Sequence, residues 1–265
     1  NLDYKYYVCK QHTKGNRAGR LLAWLLREDN DKRPIGAIRA EDGVIYHQQT
    51  EINNIFLRYY NTLYTDPSTI DETRFHTFIQ EAQPHTLSRE QTEELEEPLA
   101  EAEIRRAIKQ LARNKTPGTD GLPIEYYAQY IDTLAPHLLE MYKEAWEKGN
   151  LPETLKEAII VVLHKKGRDP LDVRSYRPLS LLNTDYKILG KILANRLSRH
   201  IETLVHPDQN GFIPKRNTFL NTRRLWAIMQ EINREVPGAV AVSLDIEKAF
   251  DTLRWEYLQG VIKAM

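Results

Sequence analysis

The sequence holds a single cysteine, Cys9, in 265 residues. An internal disulfide is therefore impossible, and so is a metal site built from several thiolates. A chain without disulfides fits a reducing compartment. Long apolar runs are missing too: none approaches the ~20 residues that a membrane-spanning helix needs. Residues 1–10, NLDYKYYVCK, offer no apolar h-region, so no secretory leader is expected. The first residue is Asn rather than Met, which points to a piece of a longer chain. Internal repeats and low-complexity tracts are absent. The histidines are scattered, with no close pair at ligand spacing. TPGTDG, residues 116–121, lacks the spacing and the Lys-Ser/Thr of a P-loop. It reads as a tight turn that brings two elements together.

Net charge is also absent, at +0, which at first argues against a polyanionic partner. The distribution argues otherwise. Residues 66–103 carry 11 acidic and 2 basic side chains, a balance of −9, whereas residues 156–224 carry 14 basic and 6 acidic, a balance of +8. The basic block is what a nucleic acid would meet, although a solvated face with scattered charges would look the same. Apolar residues make up 41% and charged ones 28%, enough to bury a core in more than one layer or subdomain.

Periodicity gives an α+β chain with helices in the majority. Apolar residues at helical spacing predict helices over 4–27, 50–64, 100–113, 133–148, 184–205, 217–235 and 252–264. In 184–205 the inward positions are Tyr186, Leu189, Leu193, Leu197 and Ile201; in the last helix they are Trp255, Leu258 and Ile262. Residues 35–48 predict a β-hairpin turning at Asp42-Gly43. Residues 66–99, acidic and with three prolines, read as a connector with little core of its own. Residues 158–163 are apolar without a break and predict a buried strand that delivers His164, Lys165 and Lys166 at its end. A second buried strand is expected over 239–245, after the break at Pro237-Gly238.

That second strand ends on a carboxylate, in AVSLDIEKAFDTL, residues 241–253. A carboxylate at the end of a buried strand projects from the sheet edge and is a good ligand for a hard cation. Alone, Asp245 reads equally as a strand-end cap, and Phe250 as core packing. Asp251 suits the first turn of a helix better than a metal site. Lys165, Lys166 and Arg177 could clamp a triphosphate, lysine as a point charge and arginine as a fork, or could be solvated surface cations.

Five stretches in order, NKTPGTDGLPIEYY, AIIVVLHKKGRD, SYRPLSLLNTDYKILGKILANRLSRHI, HPDQNGFIPKR and SLDIEKAFD, resemble the reverse transcriptase of a non-LTR (LINE-type) retrotransposon. The resemblance covers residues 100–255 well, and the first hundred residues are similar to the extension preceding the fingers in that family. It implies a right-hand polymerase: an N-terminal extension over 1–99, fingers over 100–235 and the start of a palm over 236–265. Asp245 and the backbone carbonyl of Ile246 would then bind magnesium, two ions in the complete enzyme. Phe250 would obstruct a 2′-hydroxyl and so select dNTPs, because the 2′-OH is what separates the two sugars. Lys165 and Arg177 would contact the incoming triphosphate. Gln209, Gly211, Phe212, Lys215 and Arg216 would lie near the template. The implied partners are an RNA template, a DNA primer, dNTPs and the rest of the same polyprotein (palm, thumb, possible endonuclease), with no membrane and a cytoplasmic or nuclear location.

Two departures stand out. The family's second palm motif, aromatic-Ala-Asp-Asp, does not occur in these 265 residues, and His164 stands where relatives often carry a proline. One carboxylate is poorly matched to two divalent ions. The expectation is a polymerase fragment that does not polymerise DNA by itself. The alternative is a non-catalytic nucleic-acid-binding module from a decayed element.

Overall fold

The computed structural model describes residues 34–65, 71–235, 240, 242–246 and 248–265. The helix expected over 4–27 and the break at Pro237-Gly238 lie outside the described residues. The remainder is helix-rich α+β, in two compact units. One unit reaches Arg58 and includes Asp169–Val173; the other comprises Tyr59–Arg168 and Arg174–Met265.

In the first unit β1 (Ile38–Arg39) pairs antiparallel with β2 (Ile45–Tyr46). The turn closes with Gly43 N–H on Ala40 O at 3.0 Å, Gly43 has φ +84°, and the Asp42 carboxylate accepts from Val44 N–H at 2.9 Å. The left-handed position demands glycine, as the Asp-Gly pair predicts. Arg39 ties the hairpin to the 169–173 segment: its N–H donates to Leu171 O and its guanidinium pairs with Asp169 at 3.2 Å. Helix α1 (Gln49–Tyr64) begins here and buries Ile52, Ile55 and Phe56 on one stripe.

The second unit opens with α2 (Glu72–Ala82) and α3 (Arg89–Glu96), where the composition predicts a connector. Their start signals are local. Asp71 caps α2 by accepting from Arg74 N–H, and Ser88 and Gln91 form a reciprocal capping box on α3. Neither helix buries a side chain, in keeping with a segment that has little core of its own.

The core lies among α4 (Glu101–Gln110), α5 (Ile124–Gln129), α6 (Ile131–Lys148) and α8 (Thr184–Leu197), with α7 (Glu153–Lys156) between α6 and the next strand. Ile104, Ala107, Tyr142, Ile188 and Ile192 are buried in it, each large side chain contributing roughly 1.5–3 kcal/mol. Gly149, φ +63°, ends α6 where the sequence places the stop.

Strands β3 (Ala158–His164) and β4 (Tyr176–Leu182) pair antiparallel, with Leu163 opposite Arg177 and His164 opposite Tyr176. The strand expected over 158–163 forms, but it is exposed rather than buried. A two-stranded ribbon leaves both faces open unless another layer covers them.

The helix expected over 184–205 also differs. It ends at Leu197, and α9 (Ile201–Leu204) follows as a separate turn. Its buried stripe is Ile188, Leu189, Ile192 and Arg196, while Leu193 and Leu197 face outward. The arc rotates because the Arg196 guanidinium is drawn inward by Glu103.

Helix α10 (Phe219–Glu235) exposes Leu225, Ile228 and Met229 along the side expected to be covered. The strand expected over 239–245 does not appear among the described residues: 240 and 242–246 belong to no ladder and are exposed, Leu244 at 89%. A strand exists only in a ladder, and among the described residues no neighbour supplies one. After α11 (Ala249–Thr252), helix α12 (Trp255–Ala264) turns Trp255 and Ile262 outward, Trp255 being 76% exposed. Its contact with α2 runs through Tyr257, which meets the Phe75 ring at 5.8 Å, and through Gly260, where a Cβ would lie 2.3 Å from Phe75 Cζ.

Candidate functional site

The chemistry-bearing residues fall on three structural pieces. The first is residues 242–251. Val242, Leu244 and Ile246 alternate with Ser243 and Asp245 along this stretch, and no described strand pairs with it. Asp245 and Ile246 are both exposed. Phe250 is 94% exposed and sits in α11, so it is not the packed core residue that an isolated aromatic would be. Asp251 occupies the first turn of the same helix, as its spacing predicts, and its carboxylate accepts from the Tyr64 hydroxyl at 3.2 Å.

The β3–β4 hairpin is the second piece. Lys165 N–H donates to Ser175 O at 2.7 Å and so continues the ladder one step past His164. Leu163 is opposite Arg177, and side chains repeat every second residue. Lys165 and Arg177 therefore share one face of the hairpin. Lys165 Nζ donates to Arg174 O at 3.3 Å, while Arg177 is exposed. His164 packs edge-on against Tyr176, ring centres 5.2 Å apart, and its Nε2 lies 3.1 Å from Arg168 O. The residue that departs from the family pattern is thus part of the hairpin's own closure.

The third piece is the turn over 206–217. Phe212 (φ +64°) and Lys215 (φ +62°) are both in the left-handed region, and Phe212 is 99% exposed. Gln209 Nε2 donates to Gly211 O at 3.1 Å, and Lys215 Nζ lies 3.3 Å from a Glu202 carboxylate oxygen. Arg216 differs from its neighbours. Its guanidinium donates to the carbonyls of Glu202, Val205, His206 and Gln209, at 2.7, 3.0, 2.7 and 2.8 Å. Arg216 therefore pins the turn that presents Lys215 and Phe212. Among the described residues these three pieces are not joined by any hydrogen bond that links one proposed site residue to another.

Two residues that the sequence reading passed over hold the scaffold. Arg196 makes a two-pronged pair with Glu103 (2.7 and 2.6 Å) and donates to the carbonyls of Leu95, Glu97 and Pro98. That pairing holds the Glu103 carboxyl below its ordinary pKa. Asn183 accepts from Thr119 Oγ1 and Asp120 N–H and donates to Thr154 O, locking TPGTDG against the end of β4. The Thr184 hydroxyl and Lys187 Nζ add bonds to Leu122 O and Thr116 O. The expectation that TPGTDG is a turn joining two elements describes this clamp.

Residues 163–265 match the reverse transcriptase (RNA-dependent DNA polymerase) family. Those residues contain Lys165, Arg177, the 209–216 turn, Asp245 and Phe250. Over 250 residues, 94% of this chain, the sequence is 32% identical to a 149 kDa protein of transposon TX1 from Xenopus laevis, of which it covers 19%. It is 30% identical to the RNA-directed DNA polymerase from the mobile element jockey of Drosophila melanogaster, over 63% of this chain and 20% of that protein. A Pol polyprotein from the type-1 retrotransposable element R2 of Popillia japonica is 29% identical over 59% of this chain and 21% of its own length. Residues 163–265 form a reverse transcriptase domain similar to those of non-LTR retrotransposons. It spans about a fifth of the length of these curated relatives.

Reverse transcriptases work with divalent metal ions. Among the described residues no group of three His, Cys, Asp or Glu side chains is placed to hold one. Asp245 is a single exposed carboxylate, and one carboxylate with one carbonyl does not complete a two-ion centre. No described helix is long and apolar enough to cross a membrane.

Proposed function

We propose that this chain is the N-terminal extension (1–99), the fingers (100–235) and the first segment of the palm (236–265) of an RNA-templated DNA polymerase. The reading is carried by the family match over 163–265, which contains both the carboxylate at Asp245 and the aromatic at Phe250. In the complete enzyme Asp245 and the Ile246 carbonyl contribute ligands for two Mg2+ ions, the remaining carboxylates coming from beyond these 265 residues. The exposed apolar side chains of Val242, Leu244 and Ile246 are what a full palm sheet would cover. Phe250 excludes the 2′-hydroxyl. Lys165 and Arg177, on one hairpin face, receive the triphosphate of the dNTP. Gln209, Gly211, Phe212 and Lys215 follow the RNA template, with Arg216 holding their turn. The DNA primer and the remainder of the polyprotein complete the assembly.

The test is primer extension on an RNA template with dNTPs and Mg2+. This chain, a version continued through its natural downstream sequence, and the Asp245→Asn form of each are compared. Extension by the continued protein alone, abolished by Asp245→Asn, supports the reading. Extension by the 265 residues unaided would show that the ligand count above is wrong. RNA binding by both proteins, with no synthesis from either, would favour a non-catalytic binding module.

A further inference from the structure

Helix α1 ends in a cluster of tyrosines, Tyr59, Tyr60 and Tyr64, and two of them touch the residues on either side of Phe250. Lys248 Nζ donates to the Tyr59 hydroxyl and lies 4.1 Å from the centre of the Tyr59 ring and 6.0 Å from that of Tyr60. Tyr64 donates its hydroxyl to Asp251 Oδ1 at 3.2 Å. The Tyr60 and Tyr64 rings stack on each other, centres 5.8 Å apart and planes 20° from parallel. Burial pushes the Tyr60 hydroxyl up to about 12 and raises that of Tyr64, with the Asp251 charge adding in both cases. The Tyr64 phenol therefore remains a protonated donor through the neutral range.

The segment they hold has little to fix it locally. α11 is four residues long, and one helical turn does not repay its own nucleation. Lys248, which precedes it, has φ +54°, a left-handed conformation that a lysine adopts only when its surroundings impose it. Its carbonyl accepts from Asp251 N–H at 2.7 Å and Thr252 N–H at 3.0 Å, so Lys248 sets the start of the turn. Phe250, between the two held residues, is itself unpacked.

We infer that Tyr59 and Tyr64 are positioning residues that aim Phe250 by anchoring Lys248 and Asp251, so that a helix at the N-terminal side of the chain takes part in sugar selection. The second half of this inference rests on the polymerase reading above.

Two measurements test it. In the protein that contains this chain with its natural downstream sequence, the ratio of kcat/KM for a dNTP to that for the matching NTP is compared across variants. Tyr59→Phe/Tyr64→Phe is expected to lower that ratio by about tenfold, the order expected from losing hydrogen bonds to charged partners. Asp251→Asn, which keeps an acceptor oxygen, should retain most of the ratio, and Asp251→Ala should lose it. Loss of overall activity at unchanged ratio would mark the tyrosines as merely structural and overturn the inference. The second measurement is a double-mutant cycle of Tyr64→Phe and Asp251→Ala on urea unfolding of this chain. Non-additive losses support the anchor; additive ones overturn it, whether or not the protein polymerises. If the unsubstituted protein incorporates no nucleotide, the polymerase reading fails and takes the sugar role with it, while the cycle separately decides the anchor.

Discussion

Arg196 on α8 and Glu103 on α4 meet through two parallel hydrogen bonds, Nε to Oε1 at 2.7 Å and Nη2 to Oε2 at 2.6 Å. The pair is largely shielded, with 9% of the arginine side chain and 20% of the glutamate exposed. The same guanidinium also serves three backbone carbonyls just before α4. Removing it would leave a shielded carboxylate and those carbonyls without that donor. Arg196→Ala is therefore expected to cost about 3–5 kcal/mol in urea unfolding, far more than a surface ion pair. A loss under about 1 kcal/mol would mean that water replaces the guanidinium readily.

The same pair makes a pH prediction. Glu103 sits below its ordinary value of 4.5, chiefly through the hydrogen bonds from Arg196. A depressed carboxyl stabilises the fold fully above its unfolded pKa. That contribution is lost as pH falls through the folded pKa. Stability should therefore decline below about pH 4.5, and Glu103→Gln should flatten that decline while lowering stability at neutral pH. Equal acid slopes for both proteins would remove Glu103 as the cause.

Gly118 gives a steric prediction. A Cβ there would lie 2.1 Å from Asn183 Oδ1, 2.5 Å from Asn183 N and 2.6 Å from Leu182 C. Gly118→Ala is expected to cost about 1–3 kcal/mol by forcing the turn off β4. Because two of the three close atoms are backbone, trimming Asn183 to Ala should not rescue it. Rescue in the double variant would show that only the side chain was in the way.

Where local signals decide structure, the sequence was a sound guide. The Asp42-Gly43 turn, the stop at Gly149 and the stripe through Ile104, Ala107 and Ile108 all appear as their spacing predicts. Asp71 and the Ser88–Gln91 box are equally local signals, set within an acidic stretch whose composition alone reads as a connector. Burial was less legible. Residues 158–163 and 242–246 have the composition of covered strands, yet coverage is supplied by neighbours, and a short apolar run does not carry its neighbours with it. Arg196 was hidden for the opposite reason: a charge on a helix reads as solvated, and only the distant Glu103 turns it inward. In the candidate site, residue types were legible from the family pattern. The face shared by Lys165 and Arg177 required the strand register, and the internal role of Arg216 required its four carbonyl partners.

That shared face leads to a kinetic prediction for the continued protein. If Lys165 and Arg177 receive the triphosphate, Arg177→Ala should raise KM for the dNTP by about tenfold or more, and Arg177→Lys should recover part of the loss. Lys165→Ala should act in the same direction. Binding of the primer–template, measured without dNTP, should be unchanged in all three. A loss of template affinity with KM for the dNTP unaltered would move these cations from the triphosphate to the nucleic-acid backbone.

The turn at 206–217 separates a contact residue from a supporting one. Lys215 is exposed and pairs with the Glu202 carboxylate, whereas Arg216 bonds two carbonyls of the turn and two of the segment just before it. RNA binding by this chain should weaken linearly in log salt, since each neutralised phosphate releases counterions. Lys215→Ala should reduce the salt slope by about 0.7, one phosphate contact on a single strand, without changing the melting temperature. Arg216→Ala should lower the melting temperature and weaken binding together, because the turn loses its internal donor. Asp245→Asn should leave both untouched, since a carboxylate offers nothing to a phosphate. An unaltered slope in Lys215→Ala, measured by titration across a range of salt, would remove Lys215 from the template path.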